Sequence, residues 1–366
     1  TAHGVILHEV PLYRVPADRG WPKSATDSNI SAPKGPKPMR VVSLLPSATE
    51  HLCLIGGRSA LVGRSHECDF PSGLDDVPTV TGQRIPAGTN PAEIDRLVRE
   101  QVGTGSSLYT LNTELLAELK PDLILTQDLC RVCSINKDTI RQVVAGIRTP
   151  SGPPRILSLN PHTLEDVLED LLNVGGAVDL ARESRDAVIR LRERLFRAME
   201  YVNPYLEGPN VAFLEWTDPV FVAGHWTPQL IERAGGQHPL NPTTPVENAG
   251  TGSGLQAASR RAGPSREVEA EKLVRSRPEV LIICPCGANL VQAEAMVADL
   301  ATRPWWFELP AVRANRVAVV DGNQMFNRPG PRLVESLEWL VGWMNGVPEL
   351  IPEGFPWRRW GPNRRM

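Results

Sequence analysis

The residues from 164 to 199 constrain the fold of this chain more than any other stretch. Leu164, Val167, Leu168, Leu171 and Leu172 share one helical face, and Leu180, Val188, Leu191, Leu195 and Met199 continue at helical spacings with Arg and Glu between them. Short Val/Ile/Leu-rich strands alternate with helices on either side of this amphipathic stretch. The pattern predicts an α/β fold of two lobes with mainly parallel sheets, joined by a long helix over about residues 177–201. The expected bounds are a proline-rich arm at 1–38, an N-terminal lobe at 39–162, a connecting helical region at 163–203, a C-terminal lobe at 204–346 and a tail at 347–366.

In the first lobe, residues 40–45 read as a buried strand. Ser47 and Glu50 follow at the S-x-x-E spacing of a capping box, for a helix ending near Gly56 and Gly57. Further strands are expected at 61–63, at 122–126 after Pro121 and at 156–159, with a helix at 112–119. In the second lobe, strands are expected at 280–283 and 317–320. The run 213–236, FLEWTDPVFVAGHWTPQLIERAGG, joins a strand, a loop bearing Glu215, Trp216, Asp218, His225 and Trp226, and a helix with Thr227 as cap and Pro228 at its first position.

Ligands of open α/β sheets sit outside the carboxyl ends of the strands. The loops that follow the strands here are PSATE at 46–50, SHECDFP at 65–71, TQDLCRVC at 126–133, CPCG at 284–287 and DGNQMFNRPGPRL at 321–333. With the 213–236 run they predict a two-walled cleft. Helix-terminal N–H groups at PSATE suit an acceptor or anionic group.

Five of the six cysteines fall in these loops, while Cys53 lies in the apolar part of the first helix and reads as core. Cys130 and Cys133 beside Cys284 and Cys286 have spacings suited to zinc or another soft metal, with Cys68 or His66 as a further ligand. The same pairs suit redox chemistry, or structural disulfides in an oxidising compartment.

A formal net charge of -3 gives no basic footprint for nucleic acid, and the arginines at 358, 359, 364 and 365 read as a solvated tail. No apolar run reaches membrane-spanning length. Nucleophile-elbow, phosphate-loop and H-E-x-x-H motifs are absent, which lowers the expectation of an enzyme.

Read in order, VVSLLPSATE, SHECDFP, LKPDLILTQDLCRVC, DPVFVAGHWTPQLIERAGG and DGNQMFNRPGPRLVESLEWL resemble the substrate-binding proteins of ABC importers for vitamin B12 and iron chelates, especially the cobalamin-binding group. The resemblance spans about residues 40–346. It implies two lobes joined by a long rigid helix, with little hinge motion, and binding, without chemistry, of a corrinoid or other large metal chelate for an ABC importer. No cofactor is required. Ser47, His66, Glu67, Cys68, Gln127, Asp128, Trp216, Asp218, His225, Trp226, Phe326, Asn327 and Arg328 become the expected ligand-binding set. Within it, Trp216, Trp226 and Phe326 would give flat contact area, and His66 or His225 could approach the metal or serve as hydrogen-bonding residues. Arg328 is expected to pair with Asp321 or Asp218 if it does not meet the ligand.

Two other readings stay open: a metal-storage or sensor protein with a thiolate site at Cys130, Cys133, Cys284 and Cys286, and a thiol redox enzyme using either pair. The sequence begins at Thr1 with no charged-then-apolar leader. A periplasmic or extracellular location therefore supposes that a leader was removed, and an intracellular one is the other expectation.

Overall fold

The structure is a computed structural model and describes residues 39–85, 90–103, 107–128, 137–149, 152–246 and 260–361. Its first lobe is a series of strand-helix units. β1 (Val41–Ser43) leads into α1 (Pro46–Leu54), β2 (Leu61–Arg64) into β3 (Thr81–Gln83), and α2 (Pro91–Gly103) connects β3 to β4 (Tyr109–Leu111). After α3 (Thr113–Leu119), β5 (Leu123–Thr126), α4 (Lys137–Gly146) and β6 (Arg155–Ser158) complete the lobe. The sheet order is β2-β1-β5-β6, with every pairing parallel. β3 and β4, on either side of α2 in the chain, pair with each other as an antiparallel two-stranded ribbon.

Two helices, α5 (Leu164–Ala177) and α6 (Ala181–Met199), lead to the second lobe. Thr163 and Asp166 close a capping box on α5, and Asp179 turns left-handed (φ 60°) between the helices. The connecting helix therefore starts at Ala181, four residues later than periodicity suggests, because α5 ends in its own turn.

The second lobe runs β7 (Val211–Thr217), β8 (Val220–Val222), α7 (Thr227–Arg233), the short ribbon of β9 (Thr244–Pro245) and β10 (Arg260–Arg261), then β11 (Arg266–Glu267), α8 (Ala270–Arg275) and β12 (Val280–Ile283). It ends with α9 (Leu290–Leu300), α10 (Pro310–Arg313), β13 (Val317–Val320), α11 (Leu333–Met344) and β14 (Trp357–Trp360). The six-stranded sheet has the order β11-β8-β7-β12-β13-β14, and only the two pairings among β7, β12 and β13 are parallel. This lobe is more mixed than expected. The stretch expected as a tail supplies the edge strand β14, in which Trp357 packs on Trp339 from one face and Trp360 meets Trp306 on the other. Arg358 and Arg359 are exposed between these two anchors.

Strand alternation explains how the lobes are joined. Val41, Leu123 and Leu125 of the first sheet share one continuous core with Phe213, Ile282, Ala318 and Val320 of the second, together with α5, α6, α7 and α11. The opposite faces feed separate cores, Val42 and Ile124 in one and Leu214, Leu281, Ile283, Val317 and Val319 in the other. Because the shared core runs through both lobes, parting them would expose its apolar side chains to water.

Two expected caps are not formed. Pro46 occupies the first turn of α1, so Leu45 is the boundary residue and Ser47 and Glu50 lie inside the helix instead of closing a capping box. Likewise Trp226, not Thr227, precedes α7 and makes no side-chain cap.

Candidate functional site

The carboxyl ends of β1, β2 and β5 face those of β12 and β13, and a cavity of about 110 Å³ lies between them. The turn at Pro46–Ser47, Ser65 and Glu67 after β2, and Gln127 after β5 form the first wall. Cys286 and Gly287 after β12, with Gly322, Asn323 and the 327–329 segment after β13, form the second. Thr81 of β3 and Tyr109 of β4 close one side.

Hydrogen bonds fix these loops. The Asn327 amide donates to the carbonyls of Gly322 (2.8 Å) and Cys284 (3.1 Å), tying the last loop to the end of β12. Gly322 is required there, since a Cβ would stand 1.9 Å from the Pro285 carbonyl oxygen. On the opposite wall the Tyr109 hydroxyl donates to Glu67 at 2.8 Å, and Thr81 joins the Ser65 hydroxyl (3.0 Å) and His66 Nδ1 (2.7 Å).

Arg328 fastens one wall to the other. It donates to Asp69 at 2.6 Å, to the Glu67 carbonyl at 3.1 Å and to Glu50 at 3.4 Å, and does not pair with Asp321 or Asp218 as the sequence suggested. Asp218 instead meets Arg303 at 2.9 Å, and Asp321 accepts from the backbone of Leu290 and Gln324. Burial lifts the Glu50 carboxyl to about 7 despite Arg328 and Arg332 nearby, because the cost of desolvating the charge exceeds their attraction. Glu215 rises to about 7 for the same reason, with Ser265 donating to it.

Of the expected ligand-binding residues, Ser47, Glu67, Gln127, Asn327 and Arg328 line the cavity. His66 stands beside it, its ring 5.3 Å from that of Tyr109, and burial lowers its pKa. Asp128 is exposed and its backbone N–H donates to Asn160. Trp216 is half-buried and its indole N–H reaches the carbonyls of Asp218 (3.1 Å) and Pro91 (3.3 Å).

Four others belong to the packing. Trp226 is buried and donates to the Phe326 carbonyl at 2.6 Å, and Phe326 turns left-handed (φ 58°) to set its ring 4.9 Å from Phe213. Cys68 is buried against the Thr49 hydroxyl at 3.1 Å, and burial pushes its thiol up to about 12. His225, also left-handed (φ 54°), stacks on Trp226, and burial beside His162 lowers its pKa.

Only half of the expected thiolate site lies among the described residues. Cys284 is fully buried, bonded to the Met325 carbonyl and the Asn327 amide, and burial raises its pKa well above the usual thiol value, which opposes attack by a free thiolate. Cys286 is exposed, and Cys130 and Cys133 lie outside the described residues. Among the described residues no three His, Cys, Asp or Glu side chains are grouped to hold a metal ion. The lining residues Ser65, Thr81, Tyr109 and Asn323 were not singled out from sequence. Thr81 and Tyr109 sit on paired strands of only three residues each, too short for a period to be read.

Two α/β lobes fused through helices, with a cavity at their facing strand ends, have the architecture of a binding protein that holds its ligand between the lobes. The chain belongs to the periplasmic binding protein family, whose pattern matches residues 41–323. It is 23% identical over 343 residues to a cobalamin-binding protein of Halobacterium salinarum, covering 91% of this chain and 78% of that one. An uncharacterised ABC transporter substrate-binding lipoprotein of Bacillus subtilis, YvrC, is 24% identical over 319 residues, with 87% and 82% covered. The fold is shared with a periplasmic heme binding protein from Pseudomonas aeruginosa at a TM-score of 0.60 and 21% identity, over 85% of this chain and 94% of that one.

Proposed function

We propose that this protein captures a corrinoid, or another large metal chelate with a largely uncharged rim, between its lobes and delivers it to an ABC importer. The observation that carries this reading is the charge balance of the cavity. Glu67 and Arg328 are the charged side chains among the described lining residues, and Arg328 is already committed to Asp69 and Glu50. Around these charges the lining is made of hydroxyl and amide groups from Ser47, Ser65, Thr81, Tyr109, Gln127, Asn323 and Asn327. Such a set suits the amide side chains of a corrinoid, whereas the propionates of heme favour free Arg or Lys.

The likeness to the cobalamin-binding protein of Halobacterium salinarum supports the same ligand class. Delivery to an importer implies a place outside the cytoplasmic membrane, and one relative is named as a lipoprotein. At about 110 Å³ the cavity is smaller than the roughly 300–1,000 Å³ of usual ligand pockets, so it would form the floor beneath a macrocycle lying across the cleft.

Calorimetric titration with cyanocobalamin, cobinamide and hemin, with absorbance spectra, tests this. Saturable binding of a corrinoid, tighter than that of hemin, is expected. No heat and no spectral shift with either corrinoid, or a preference for hemin, overturns the reading.

A further inference from the structure

Two imidazoles meet across the divide between the lobes. His162 closes the first lobe between β6 and α5, His225 belongs to the second between β8 and α7, and their ring centres stand 6.2 Å apart with the planes tilted by 40°. Neither is among the residues that line the cavity. The pair is separate from the cavity and from whatever the cavity holds.

Both backbones are held in place. The His162 N–H donates to the Asp166 carboxylate at 2.8 Å, beside the capping box that starts α5. On the other side the His225 N–H donates to the Gly263 carbonyl at 2.8 Å, and Gly224 packs so closely on the 263–265 segment that a Cβ there would stand 2.2 Å from the Ser265 nitrogen. His225 is kept at φ 54°, a left-handed conformation uncommon for a residue with a side chain, and in it the ring stands against His162.

The ring nitrogens are uncommitted. Trp226 stacks on His225 with 5.6 Å between centres and 29° between planes, which covers a ring face and not the nitrogens at the ring edge. Among the described residues no ring nitrogen of His162 or His225 has a hydrogen-bond partner. His162 is exposed to ions in solution, while burial of His225, together with the neighbouring His162, lowers its pKa and keeps its ring neutral. A neutral imidazole offers a lone pair that nickel, copper and zinc ions accept.

The spacing narrows the geometry. With a metal–nitrogen bond of about 2.0–2.1 Å, two imidazole centres stand about 6.4 Å apart when trans across an ion and about 5.2 Å apart at tetrahedral angles. The observed 6.2 Å matches the trans arrangement, which suits tetragonal nickel(II) or copper(II). No third His, Cys, Asp or Glu is grouped with the pair among the described residues, so the remaining positions are left to water.

We propose that His162 and His225 form a two-imidazole site for a divalent transition-metal ion of the nickel or copper class, held between the lobes. Such an ion would couple the lobes at a second place besides the Arg328 ion pairs.

Diethylpyrocarbonate labelling of the full chain, mapped by peptide mass with and without nickel(II), tests the site, because reagent and ion compete for the same lone pair. Saturating nickel should slow labelling of His162 and His225 together by about tenfold. In His162→Gln, a change at an exposed position, nickel should leave His225 unprotected. In His225→Asn, where asparagine tolerates the left-handed backbone, it should leave His162 unprotected. Nickel that protects neither histidine, or protection of His162 that survives in His225→Asn, overturns the site. Zinc(II) protecting the pair at lower concentration than nickel(II) overturns the trans geometry. Labelling reports on these two side chains alone, so failure of the corrinoid titration leaves its result standing.

Discussion

Arg328 Nη1 lies 3.4 Å from Glu50 Oε1, and this pair joins the second lobe's last loop to the first lobe's first helix at a point where Glu50 has no exposed surface. A buried charge pair adds little net stability, yet removing one partner strands the other. Arg328→Met should therefore destabilise the protein by about 3–5 kcal/mol at pH 8, and by less at pH 5 where Glu50 accepts a proton. Urea unfolding at the two pH values measures this, and equal losses at both would count against it.

Glu50 itself has a definite pH signature. Burial raises its pKa from 4.5 to about 7 in the folded protein, so its folded form holds the proton more tightly than its unfolded form. Its contribution to stability is complete below about pH 4.5 and is lost as the pH rises through 7, on the order of 3 kcal/mol in all. Glu50→Gln should flatten the stability profile between those limits. Asp170 and Glu215, each raised to about 7 by burial, retain part of the slope, while His51 and His238, lowered to about 4, act oppositely as the pH falls below 6.5. Denaturant midpoints from pH 4 to 8 compare the two proteins.

Trp226 carries a prediction about the fold. Its indole fills the shared core and bonds the Phe326 carbonyl at 2.6 Å. Trp226→Ala should cost about 3–5 kcal/mol of stability, and Trp226→Phe, which keeps much of the volume but loses the donor, about 1–3 kcal/mol. A ligand anchor would behave differently, with intact stability and weakened binding. Thermal unfolding beside titration calorimetry distinguishes the two.

Much of the fold was legible because strands such as 280–283 and 317–320 are unbroken runs of Val, Ile, Leu and Ala, and α5 and α6 keep strict helical spacing. β14 was not, since the side chains of Trp-Arg-Arg-Trp read as polar until the two tryptophans are seen to enter opposite cores. In the site, the strand-end loops were legible but the direction of their side chains was not. Phe326 and His225 take left-handed backbone conformations, and an expected alternation along a loop cannot anticipate such turns. Pro46 likewise moved Ser47 and Glu50 out of the capping positions that their spacing suggested.

The cysteines differ enough in burial for their reactivities to be ordered. Burial raises the thiols of Cys53 to about 11 and of Cys68 to about 12, Cys284 is fully buried, and Cys286 is exposed on the cavity wall. In the native protein iodoacetamide should modify Cys286 well before Cys53, Cys68 or Cys284, as followed by peptide mass mapping. Saturating corrinoid should slow that reaction, because the macrocycle would cover the lining. Equal rates with and without corrinoid would place the ligand elsewhere.

The charge of the cavity makes selectivity adjustable at one position. Glu67 is the lining carboxylate, held by the Tyr109 hydroxyl at 2.8 Å, while the nearby guanidinium of Arg328 is committed to Asp69 and Glu50. Glu67→Lys replaces an acceptor with a free cation, to which a propionate could pair in a partly water-excluded site. It should strengthen hemin binding relative to cyanocobalamin by about tenfold, corresponding to the roughly 1.5 kcal/mol lower bound for a hydrogen bond to a charged group. Glu67→Gln should change the ratio less, since it removes the carboxylate charge without adding a cation. Competition titrations of the three proteins with both ligands measure the ratio. An unchanged ratio in Glu67→Lys, with the variant folded and still binding cyanocobalamin, would show that the rim of the ligand does not meet this wall.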